Sequence, residues 1–128
     1  MEKQKYNIMI VDDARLSREL LKWIINKTDF ARVEYESSNG SEALDIVKTY
    51  RPDLIFMDLV MPGLSGIQTI QKLTEINNSI PIIAISAIEE EELIFKATKF
   101  GAEEFIQKPF DEENIINILM KILFKNKN

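Results

Sequence analysis

Short apolar runs alternate along the chain with longer stretches in which apolar residues recur at helical spacing. Residues 7–11 (NIMIV), 53–58 (DLIFMD), a run from Ile80 through Ile82-Ile83-Ala84-Ile85, and 104–107 (EFIQ) are bounded by charges or turn residues. Such runs predict strands buried on both faces. Residues 31–37 alternate polar with apolar and are rich in Val and Tyr, which predicts an edge strand. Between the strands, 15–25 carries Leu16, Leu20, Trp23 and Ile24 as a helical stripe. Ser41 is a candidate N-cap for a helix through Lys48, with Pro52 closing the loop that follows. Further helices are expected over 66–75 and 89–100, the latter stopped by Gly101. Asp111 would cap a last helix to about 124, with Ile115, Ile118, Leu119 and Ile122 on one face. Five β-α units with short connections predict a three-layer α/β domain, a five-stranded parallel sheet with helices on both faces and right-handed crossovers.

The polar residues that interrupt this pattern fall at one end of the strands. The first strand runs into Asp12-Asp13, the third ends on Asp58, the fourth on Ser86, and the last on Lys108-Pro109. In open parallel sheets, ligands bind at the carboxyl ends of the strands. Asp12 and Asp13 would face opposite ways along a strict strand, but at a strand end both can turn into one crevice. Three gathered carboxylates repel one another and call for a cation. Hard oxygen ligands with room for water suit Mg²⁺, to which the Val60 backbone carbonyl would add a further ligand. A carboxylate can act as a nucleophile and form an acyl phosphate. Phosphoryl transfer needs in-line placement and neutralised oxygens more than a strong base. Asp58 would attack, Lys108 would clamp the oxygens, and Ser86 would donate a hydrogen bond. The competing reading makes Asp12-Asp13 a solvated loop, Lys108 a solvent-facing strand end and Ser86 a helix cap, with no common role.

Composition narrows the classes. At 128 residues with 45% hydrophobic content, the chain 1–128 is expected to form one domain with a full core. The net charge of -5 argues against nucleic-acid binding, which needs a basic footprint. The mildly basic tail over 121–128 reads as a solvated helix end. Without Cys or His, disulfides, thiolate chemistry, Cys/His zinc sites and imidazole catalysis are excluded. No signal-peptide pattern opens the chain and no apolar stretch approaches the ~20 residues that span a bilayer, so a cytoplasmic location without membrane contact is expected.

IMIVDD, LIFMDLVMPGLSG, IIAISA and FIQKPF together resemble the receiver domains of bacterial two-component response regulators, the CheY-like family, over essentially the whole chain. The resemblance implies a flavodoxin-like, doubly wound sheet of order 2-1-3-4-5. It implies Asp58 as phosphoacceptor, supplied by a sensor histidine kinase or a phosphotransfer protein. Asp12 and Asp13 would organise Mg²⁺ with Asp58 and the Val60 carbonyl, Asp13 being the more direct ligand. Ser86 and Lys108 match the family's hydroxyl and lysine, and the Lys108–Pro109 bond is expected to be cis. Phe105 matches the switch aromatic, though it lacks the hydroxyl of the commoner Tyr. Movement of Ser86 and Phe105 would alter the face made by the helix after Ser86, the last strand and the last helix. That face would meet an output domain or target protein, or a second copy in a phosphorylation-dependent homodimer. Such a module catalyses only its own phosphorylation and dephosphorylation. Val60 and Ile88 are apolar where family members often carry polar groups, so they are expected to shield the acyl phosphate from water.

Other readings differ at single positions. A Mg²⁺-dependent aspartyl phosphohydrolase on a related sheet would carry a second Asp as proton shuttle where this chain has Val60. A flavin-binding module would need a Ser/Thr/Gly-rich loop after the first strand, where Asp12-Asp13-Ala14-Arg15 would repel a phosphate. Whether the receiver stands alone or belongs to a longer regulator is open at this level.

Overall fold

The structure, a computed structural model, describes residues 4–125. Strands β1 (Tyr6–Val11), β2 (Ala31–Ser37), β3 (Leu54–Asp58), β4 (Ile82–Ser86) and β5 (Ala102–Gln107) alternate with helices α1 (Arg15–Asn26), α2 (Gly40–Thr49), α3 (Gly66–Ile76), α4 (Glu91–Phe100) and α5 (Glu112–Leu123). All paired strands are parallel and the sheet order is β2-β1-β3-β4-β5. The fold is therefore the five-stranded doubly wound sheet expected.

Side-chain alternation along the strands builds two cores. Met9, Val11, Ile55, Met57 and Ala84 pack with Ala43 and Val47 of α2, Ile70 and Leu73 of α3 and Ala97 of α4. Ile8, Ile10, Phe56, Ile83 and Ile85 pack with Leu21, Ile24 and Ile25 of α1 and Ile115, Leu119 and Ile122 of α5. β3 and β4 are buried at every position, as a central parallel strand must be with helices on both sides.

Several local expectations are corrected. Of the α1 stripe, only Ile24 is buried; Leu16, Leu20 and Trp23 lie on the outer face, with Leu16 83% exposed. Leu21, Ile24 and Ile25 form a tighter i, i+3, i+4 set and fix the rotation of the helix, while Lys27 Nζ sits 4.2 Å from the Trp23 ring centroid. The N-cap of α2 is Asn39, whose side chain accepts from the Glu42 N–H, and Ser41 lies inside the helix. α4 begins at Glu91, two residues later than expected. β5 begins earlier, at Ala102, and is not buried on both faces as expected, because it is an edge strand with exposed Glu103 and Gln107. Ile80 is buried but precedes β4, and Ile118 is only partly buried on α5. Asp111 caps α5 by accepting from the Glu113 N–H. Of the basic tail, Lys121 and Lys125 pair with Glu104 and Glu103, each at 2.7 Å; residues 126–128 lie outside the described residues. Among the described residues, no helix is long and apolar enough to cross a membrane.

Candidate functional site

The carboxyl ends of β1, β3, β4 and β5 converge on one acidic crevice. Asp12 leaves β1 fully buried. Its carboxylate is divided between two tasks: Oδ1 accepts from the Ala14 N–H at 2.9 Å, and Oδ2 faces Lys108 Nζ at 2.8 Å. The lysine approach is an ion pair without hydrogen-bond geometry, so Oδ2 remains a buried oxygen with no hydrogen-bond donor. Asp13, one residue on, is exposed. Asp12, Asp13 and Asp58 each place a carboxylate oxygen within 4.8 Å of the others.

Asp58 terminates β3 and is only 4% exposed. Oδ1 accepts from the Val60 N–H at 3.2 Å, and Oδ2 lies 3.5 Å from Lys108 Nζ. Burial pushes its carboxyl up from 3.8 to about 6, reinforced by the neighbouring Asp12 charge. The Val60 N–H and Lys108 oppose the shift and are outweighed. A hydrogen-bond-poor buried oxygen beside two further carboxylates is a donor set that fits a hard divalent cation, which would satisfy Asp12 Oδ2 and offset the repulsion.

Ser86 is buried at the end of β4, and its Oγ accepts from the Ile88 N–H at 3.0 Å. Its carbonyl accepts from the Lys108 N–H at 2.9 Å, which ties the ends of β4 and β5 together. The Lys108–Pro109 peptide is cis. Val60 and Ile88 present half-exposed side chains, 51% and 40%, on the loops that follow Asp58 and Ser86. Phe105 pairs in register with Ala84 and packs, half-buried, against the core on the α2–α3–α4 side of the sheet. The structure thus brings Asp12, Asp13, Asp58 and Lys108 into one cluster, and leaves Ser86 and Phe105 adjacent to it through β4 and β5.

Three contributors escaped sequence reasoning. Gly66, read only as a helix start, lies against the strand that carries the site: a Cβ there would strike the Asp58 carbonyl and the Leu59 backbone. Arg18 Nη1 donates to the Asp12 carbonyl at 2.6 Å, and Ser37 accepts from the Asp12 N–H at 3.0 Å. The signal for Gly66 was the turn-rich Pro62-Gly63-Leu64-Ser65-Gly66 stretch after Asp58; Arg18 and Ser37 had no sequence signal, because their role depends on tertiary approach.

Comparison with known proteins places this geometry. The sequence model described as the response regulator receiver domain matches residues 8–120. Chemotaxis protein CheY of Thermotoga maritima is 37% identical over 90% of this chain and 95% of its own length. Sporulation initiation phosphotransferase F of Bacillus subtilis is 35% identical over 91% and 92%. Among solved structures, CheY in the CheX-CheY-BeF3-Mg complex from Borrelia burgdorferi superposes with a TM-score of 0.86 at 27% identity, covering 91% of this chain and 88% of that one. With the sheet order and the acidic cluster at the strand ends, these matches establish that the chain belongs to the response regulator receiver domain family of two-component signalling systems.

Proposed function

We propose that residues 1–128 form a phosphoacceptor module in which Asp58 receives a phosphoryl group from a sensor histidine kinase or a phosphotransfer protein. The observation that carries this reading is the placement of Asp58: a buried carboxylate, flanked by two acids and a lysine, at the mouth of the sheet. In the transfer, an Asp58 carboxylate oxygen forms a new bond to phosphorus as the bond to the donor's nitrogen or oxygen breaks. Lys108 moves from its Asp12 pair towards the phosphoryl oxygens, and the Ser86 hydroxyl proton points at one of them. Asp12 Oδ2, Asp13 and Asp58, with the Val60 carbonyl, would hold Mg²⁺. Its role when bound is to neutralise charge on the acids and the phosphoryl oxygens. The complex of the Borrelia CheY with BeF3 and Mg lends this assignment support by likeness.

Phosphorylation biases a two-state equilibrium. As Ser86 turns from its own loop towards the phosphoryl group, Phe105 rotates into the space beside β5. The α4–β5–α5 face then changes its affinity for an output domain, a target protein or a second copy. The chain acts on itself alone, accepting and losing its phosphoryl group in the cytoplasm. Val60 and Ile88 shield the acyl phosphate and prolong the signal. A phosphohydrolase reading lacks its proton shuttle, since Val60 stands where the second acid would be.

The test is incubation with acetyl phosphate and Mg²⁺ followed by intact-mass measurement. One labile phosphoryl adduct is expected, absent in Asp58→Asn and without Mg²⁺. An adduct that persists in Asp58→Asn overturns the assignment.

A further inference from the structure

The backbone of Asp12 is held on both sides, by the edge strand β2 and by α1. Its N–H donates to the Ser37 carbonyl at 3.0 Å, and its carbonyl accepts from Arg18 Nη1 at 2.6 Å. Arg18 is itself anchored: Nε lies 3.6 Å from Glu36 Oε1, while Lys22 Nζ lies 2.9 Å from Glu36 Oε2. Ser37 and its neighbour Glu36 therefore reach Asp12 by two routes, one direct and one through α1.

A break in strand register makes the second route possible. β1 and β2 pair Ile8 with Val33 but Met9 with Tyr35, so Glu34 is skipped. A one-residue slip moves every later side chain to the opposite face. Glu36 consequently pairs with Ile10, whose side chain packs in the core under α1 and α5. Without the slip, Glu36 would stand opposite Val11, on the face of α2 and α3, out of line with Arg18.

We infer that Arg18, held by Glu36, is a positioning residue that fixes the direction of the Asp12 carboxylate towards the cation. Asp12 Oδ1 is committed to Ala14, so the orientation of Oδ2 depends on the Cα, and the Cα depends on the two peptide bonds of residue 12. Loss of Arg18 leaves a buried carbonyl without a donor, and the loop would relax to find one. The guanidinium fork serves two acceptors at once, which a lysine ammonium cannot do with the same geometry. This inference rests on the reading of Asp12, Asp13 and Asp58 as a Mg²⁺ site.

A positional role and a purely electrostatic one predict opposite signs. Arg18 is a cation near a cation site, so through its field alone Arg18→Ala would tighten Mg²⁺ binding. Through position it weakens it. Calorimetric titration of the full chain with Mg²⁺ alone, with thermal melts to verify folding, is the test. Arg18→Ala is expected to raise the Mg²⁺ dissociation constant about tenfold, in the range for loss of a group that orients a metal ligand. Arg18→Lys should recover only part of this. Glu36→Gln should weaken binding less than Arg18→Ala, and the double variant should match Arg18→Ala, because the two residues act in series. Unchanged or tighter binding in folded Arg18→Ala overturns the inference. Should Arg18→Ala not fold, wild-type affinity in both Arg18→Lys and Glu36→Gln overturns it equally. Absence of Mg²⁺ binding in the wild type instead contradicts the metal reading on which the inference stands.

Discussion

Lys108 Nζ lies closer to Asp12, at 2.8 Å, than to Asp58, at 3.5 Å. The lysine that should serve the phosphoryl group is thus paired with the acid beside it. A cation that takes over Asp12 Oδ2 would release the lysine towards Asp58, so metal binding and lysine placement are coupled by competition for one oxygen. Lys108→Ala should slow phosphorylation by acetyl phosphate about a hundredfold, the lower side of what losing one charge-stabilising donor costs. Lys108→Arg should retain part of the rate. Rates measured from intact mass against time decide this, and a wild-type rate in Lys108→Ala would remove the lysine from the mechanism.

The raised carboxyl of Asp58 sets a pH dependence. Folding disfavours its ionised form, so the folded chain holds this proton more tightly than the unfolded one. The resulting penalty is absent below 3.8, grows as pH rises to about 6, and is complete above that. Asp58→Asn removes it and should stabilise the chain at pH 7 by about 1–2 kcal/mol, allowing for water at the mouth of the site. At pH 4 the gain should have nearly vanished. Urea unfolding at both pH values measures the difference; a gain independent of pH would mean that ionisation of Asp58 is not its source.

Gly66 bears on the site through the backbone. Any side chain there meets the Asp58 carbonyl and the Leu59 Cα, neither of which is a flexible group that can step aside. Gly66→Ala should cost about 1–3 kcal/mol, the usual range for overpacking. It should also reduce phosphorylation, because the strain falls on Asp58, the proposed phosphoacceptor. Denaturant midpoints and acetyl phosphate rates, measured on the same preparation, separate the two effects. Full stability together with full activity would show that α3 can withdraw from β3 without consequence.

The central strands β3 and β4 were legible because burial on both faces leaves short apolar runs, whereas the edge strands β2 and β5 carry exposed polar positions. The candidate site was legible because polar residues recur where the strands end. Asp12, Asp58 and Lys108 stand out for that reason. Helix rotation was less legible. In α1 the residues Leu16, Leu20, Leu21, Trp23, Ile24 and Ile25 offer two overlapping apolar faces, and only packing against Ile8 and Ile10 selects the one with Leu21, Ile24 and Ile25. Likewise Asn39 and Ser41 are both capping types two residues apart, and the direction in which the chain leaves Ser37 chooses between them. The Arg18–Asp12 contact depends on a skipped residue in β2, which nothing in the local pattern announces.

Val60 and Ile88 test the lifetime of the signal. Both stand half-exposed on the loops that flank Asp58, so they are free to cover an acyl phosphate without being required by the core. Val60→Asn and Ile88→Glu should each speed phosphate loss severalfold, since a polar side chain can hold the attacking water. Decay of the adduct after removal of acetyl phosphate, followed by mass, provides the rate. Unchanged or slower loss in both variants would end the shielding argument.

The central claim is that the phosphoryl group resides on Asp58 and not on its acidic neighbours. Borohydride reduction of the phosphorylated chain converts an aspartyl phosphate to homoserine, and tandem mass spectrometry of the digest locates it. Homoserine is expected at position 58 alone; homoserine at Asp12 or Asp13, or none at all after an adduct has formed, would contradict the assignment.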